Sequence, residues 1–160
     1  VKAIANADNR HQWHSLKNNQ ERRRFDPMEK VKAEALTSNF VFGNDARIDR
    51  VERSSGLLKI HVTGGLGEQG CVITFENPLG FRVVDERDLM EYWPVCSTPA
   101  GWIFQIHSGG WLEQERRRPG SLMPDTYPDV KEYLITSIED CVSVFSLDAP
   151  TLTALPSDLA

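Results

Sequence analysis

Between residues 46 and 85 the chain is interrupted every eight to ten residues, and the stretches between interruptions alternate apolar with polar side chains. Ser54-Ser55-Gly56, Gly64-Gly65-Leu66-Gly67 and Asn77-Pro78-Leu79-Gly80 have the composition of turns. In residues 57–63, Leu58, Ile60 and Val62 fall on one face and Leu57, Lys59, His61 and Thr63 on the other. In residues 70–76, Cys71, Ile73 and Phe75 oppose Val72 and Thr74. A period of two with short connections predicts half-buried strands in an antiparallel meander, with strands over 46–53, 57–63, 70–76 and 81–85.

Residues 101–111, Gly-Trp-Ile-Phe-Gln-Ile-His-Ser-Gly-Gly-Trp, follow Pro99, hold two of the four tryptophans and nearly end on the Gly109-Gly110 pair. An apolar run of this length predicts a central strand buried on both faces over 101–107. It leads into Trp111 to Arg118, which carries five charged side chains in eight residues. Further strands are expected over 130–138 and 141–147, and short helices over 28–36 and 85–93. The second of these begins with acids, as the helix dipole favours, and ends at Pro94. Residues 116–129 contain four Pro or Gly breakers and read as a long loop, and 148–160 as a tail. The sum is an α+β fold: a mostly antiparallel β-sheet of about seven strands in a meander, with two or three short helices.

At 160 residues one core is expected, over 28–160, preceded by a polar basic extension over 1–27. Charge divides the same way. The first 27 residues carry six basic and three acidic side chains, and the remainder twelve basic and twenty acidic. An acidic body argues against a nucleic-acid binder and suits a basic protein partner. No apolar stretch is long enough for a membrane span or a signal peptide, so neither is expected. Cys71, Cys96 and Cys141 lack any ligand spacing and read as free thiols of a reducing compartment.

No catalytic, metal or cofactor signature stands out. His11 and His14 lack further ligands, the 64–67 glycines lack a following Lys-Ser/Thr and helix, and neighbours on a strand point His107 and Ser108 to opposite faces. Arg22-Arg23-Arg24 and Arg116-Arg117-Arg118 read as solvated or paired with Glu113 and Glu115. A cleft beside His107, holding a small molecule or an enzymatic centre, is the alternative to a binding role. The combination of acids with aromatic anchors marks Asp85, Asp88, Glu91, Tyr92, His107, Trp111, Glu113 and Glu115 as candidate partner-binding residues, while Trp93 and Trp102 are expected in the core.

Two segments carry a resemblance. One is residues 77–93, from Asn77-Pro78-Leu79-Gly80-Phe81 through Asp88-Leu89-Met90-Glu91-Tyr92-Trp93. The other is residues 102–115, with the later Glu132-Tyr133-Leu134-Ile135 and Asp140-Cys141-Val142-Ser143-Val144. Together they resemble small bacterial immunity proteins of polymorphic toxins, including those of contact-dependent inhibition and Rhs systems. The resemblance spans roughly residues 40–146. It implies a cytoplasmic protein without enzymatic activity or cofactor that binds and blocks one cognate toxin domain, and it carries over no binding residues. A nuclease toxin would be basic, which suits the acidic body.

Overall fold

The structure is a computed structural model and describes residues 28–42, 45–64, 70–97 and 99–155. The polar extension over 1–27, with His11, His14 and Arg22 to Arg24, and most of the 64–67 turn lie outside the described residues.

Nine strands form two antiparallel sheets among the described residues. The strands are β1 (Lys32–Ala35), β2 (Arg47–Ser54), β3 (Leu57–Thr63), β4 (Cys71–Glu76), β5 (Gly80–Asp85), β6 (Ile103–Ser108), β7 (Lys131–Ile135), β8 (Asp140–Ser146) and β9 (Thr151–Ala154). One sheet has the order β1-β6-β7-β8-β5, the other β2-β3-β4-β9. Two short helices, α1 (Trp111–Arg117) and α2 (Met123–Thr126), lie between β6 and β7. The class is α+β, as expected.

Alternation builds the core between the sheets. Leu58, Ile60 and Val62 of β3 and Cys71, Ile73 and Phe75 of β4 meet Ile103, Tyr133, Ile135, Val142 and Val144 of the five-stranded sheet. The rings of Phe75 and Tyr133 lie 5.4 Å apart across that interface. The opposite residues of the same strands, Phe104, Ile106, Leu134 and Cys141, pack under Leu89, Tyr92 and Cys96 of the segment after β5. Covering on both faces is why β7 and β8 are nearly continuous in apolar residues.

Several sequence expectations are corrected. Residues 28–36 are not a helix. Lys32-Ala33-Glu34-Ala35 forms edge strand β1, because β6 offers an open ladder and the alanines pack on its apolar face. Residues 85–93 hold one 3-10 turn, Glu86–Asp88, followed by further turns rather than a helix. The Gly101 run does supply β6, buried on both faces, but β7 is the middle strand of the five. Residues 116–129 contain the end of α1 and all of α2, and the tail contributes β9. The meander holds for β2-β3-β4 and for β6-β7-β8, whereas β1 and β5 join the five-stranded sheet from distant segments, so 81–85 does not continue the first meander.

Candidate functional site

Gly109 and Gly110 turn β6 into α1, and both are forced by close approach. Gly109 has φ +73°, and a Cβ there would lie 2.5 Å from the Lys30 carbonyl carbon and 2.6 Å from the Val31 nitrogen. At Gly110 a Cβ would meet the Glu132 carboxylate at 2.6 and 2.8 Å. Glu132 stands on β7 and is 1% exposed. Its Oε2 accepts the Leu112 N–H at 2.7 Å, and its Oε1 accepts the Trp111 N–H at 3.1 Å and the Tyr92 hydroxyl at 3.0 Å. The Tyr92 oxygen in turn accepts the Trp111 N–H at 2.8 Å and an Arg82 N–H at 3.4 Å. Arg82 also lies over the Trp111 indole, 4.8 Å from its centroid, and that indole stacks on Phe145 at 3.8 Å. Burial pushes the Glu132 carboxyl above its ordinary value against the pull of these donors, and pushes the Tyr92 phenol up as well. The result is a closed polar knot that ties α1 and the 89–96 turns to the sheet. Its carboxylate is covered from solvent.

The candidate residues separate into three places. Tyr92 is fully buried in the knot, so its placement on a binding surface is corrected: its neighbours Leu89 and Cys96 carry the turn inward with it. Trp111 is half-buried against Phe145 and Arg82. Glu113 and Glu115 lie on α1, where Glu113 pairs with Arg117 at 2.9 Å and Glu115 with Arg118 at 2.7 Å. His107 is exposed at the end of β6, with Glu34 3.6 Å away. The crevice beside it, lined by Ser108, Arg116 and Glu132 among others, has a volume of about 10 Å³. That is about the space of one water and far below the roughly 300 Å³ at which small-molecule pockets begin.

Asp85 caps the 3-10 turn that ends at Asp88, and Glu91 is exposed in the turns that follow; the fold adds acids that sequence reasoning missed. Asp85 pairs with Asp140 across β5 and β8, and the Glu86 N–H donates to the Glu139 carbonyl. Asp85, Glu86, Glu139 and Asp140 therefore rim a shallow, open depression of about 220 Å³ together with Arg87 and the exposed Ile138. Arg87 chelates the Asp85 carboxylate at 2.6 and 2.8 Å and holds that carboxyl far below the usual range. The lining thus holds four carboxylates to one guanidinium, and Asp88 ends the same 3-10 turn. Glu139 and Asp140 looked like an ordinary turn in the sequence; only the register of a strand 55 residues away makes them neighbours of Asp85.

Among the described residues no group of His, Cys, Asp and Glu is arranged to hold a metal ion, and no helix is long and apolar enough to cross a membrane. No family model, curated protein or solved structure matches the chain.

Proposed function

We propose that this protein is a cytoplasmic, non-enzymatic immunity protein that binds a basic toxin domain and neutralises it by covering its active site. The observation that carries this reading is the acidic depression where Asp85, Glu86, Glu139 and Asp140, with Arg87, surround exposed Ile138, and Asp88 follows on the same 3-10 turn. Met90, 70% exposed beside Glu91, adds an apolar contact of the kind that anchors interfaces. Supporting it are the twenty acids against twelve bases in residues 28–160, and the resemblance of residues 77–93 and 102–115 to immunity proteins. Complementary fields of this kind steer encounter, so binding is fast and weakens with salt. The small crevice at His107 gives the enzymatic alternative no comparable support.

Co-expression with basic toxin domains encoded beside this chain's gene tests the proposal. Protection of growth and a stoichiometric complex are expected. Reversing Asp88, Glu91, Glu139 and Asp140 to lysine is expected to slow association about tenfold or more and flatten its salt dependence. Unchanged affinity and salt slope in that variant would rule this surface out, and absence of protection by the wild type would rule out the function.

A further inference from the structure

The two sheets have four edges, and three are blunted. β1 is four residues long, has an irregular register after Lys32, and exposes Lys32 and Glu34. β2 has a register shift between Ile48 and Arg50 and exposes Arg47, Asp49, Arg50 and Arg53. β9 is four residues long, follows Pro150 and exposes Thr151 and Thr153. These are the usual protections against pairing with another chain. The fourth edge, β5, lacks them. It runs six residues in unbroken register with β8, which is its one partner in the sheet among the described residues. Its Phe81 and Val83 are 38% and 49% exposed.

The register says what this edge offers. The Glu86 N–H donates to the Glu139 carbonyl. By antiparallel alternation, Arg82 and Val84 also direct their backbone groups to β8, and Phe81, Val83 and Asp85 direct theirs outward. Phe81 and Val83 stand opposite Val144 and Val142, which the second sheet covers. They therefore lie on the same sheet face, just past the end of that cover. Two residues on from Val83 the pattern changes sign in character, to Asp85 with Asp140 across from it. β5 thus presents apolar, apolar, acid at a period of two, beside outward N–H and C=O groups.

We infer that β5 accepts an extended strand of a basic partner as a sixth strand of its sheet. Added antiparallel, like every pair in this fold, the incoming strand meets Asp85 and Asp140 near its N-terminal end. Its expected pattern is Lys or Arg, any residue, apolar, any residue, apolar. Main-chain hydrogen bonds hold it, and Phe81, Val83 and the two aspartates select it. A second copy of this chain is the other candidate occupant, but its net charge of −5 opposes self-association, whereas a basic strand adds cations to an edge where Arg87 already pairs with Asp85. The inference rests on the reading that the partner is basic, and specifies how it is held.

The test selects twelve-residue random peptides displayed on phage against the full chain. Enrichment of the basic, x, apolar, x, apolar pattern is expected. A winning peptide N-methylated on the residues facing β5 should bind about tenfold weaker or worse, while methylation of the alternate residues leaves binding intact. Val83→Pro removes an outward N–H and should abolish binding; Val83→Lys, which keeps the ladder to β8, should weaken it and serves if the proline variant does not fold. Selected basic peptides that tolerate both methylation patterns and both variants would overturn strand addition while leaving the basic partner standing. An empty selection, or binders without basic residues, would overturn it as well. So would a dimer in sedimentation that Val83→Lys dissociates.

Discussion

The Glu132 carboxyl accepts three hydrogen bonds at 1% exposure, and that combination makes its protonation a matter of stability. Burial raises its pKa, so the folded chain holds the proton more tightly than the unfolded chain. Ionised Glu132 therefore costs stability at neutral pH, and the cost fades as pH falls towards the ordinary value of 4.5. Glu132→Gln keeps the shape but sets its NH2 against donors, and should lose about 1–3 kcal/mol at neutral pH. In urea titrations the wild type should gain on this variant as pH is lowered from neutrality to about 4.5; a constant difference would show that Glu132 does not titrate abnormally. The cysteines give a simpler expectation. Cys71, Cys96 and Cys141 are free and buried, and desolvation pushes the thiols of Cys71 and Cys96 up to about 12 and Cys141 to about 11. A chromogenic disulfide reagent at mildly alkaline pH should leave all three unmodified in the native protein and modify all three in guanidinium. Rapid native labelling would mean that the core opens far more often than its packing implies.

At the level of elements, β1 depends on Gly109. A Cβ there collides with the backbone of Glu29, Lys30 and Val31, and the positive φ adds strain. Gly109→Ala should cost about 2–4 kcal/mol, with loss of hydrogen-exchange protection concentrated in β1 and α1. Uniform destabilisation with β1 still protected would contradict this. The comparison with sequence reasoning turns on the same point. Leu57–Thr63 and Cys71–Glu76 were legible because their alternation is set by one buried and one half-exposed face. β1 and β9 were not, because Lys-Ala-Glu-Ala and Thr-Leu-Thr-Ala carry weak local signals and become strands through the ladders that β6 and β4 offer. Of the site, Asp85 and its neighbour Asp88 could be picked out as an acidic cluster in the chain. Glu139, Asp140 and Glu132 could not, since their roles come from pairing across strands. The Gly109-Gly110 pair was visible only as a breaker, although its function is to let Lys30 and Glu132 come close.

For the whole molecule, the five-stranded sheet joins β1 near one end of the described chain to β6 some seventy residues later, and the four-stranded sheet is completed by β9, the last strand described. During synthesis, then, β4 leaves the ribosome with Cys71, Val72, Ile73 and Thr74 lacking the strand that will flank them. Phe75 likewise waits for Tyr133 before the interface between the sheets can form. Such non-local pairing favours slow, late closure over stepwise folding. Nascent chains arrested before residue 151 has emerged should remain protease-sensitive across residues 57–76, and become resistant only when β9 is free to dock. The acidic depression that β5 and β8 build would thus be assembled only after residues 140–146 have emerged, some sixty residues after β5 itself.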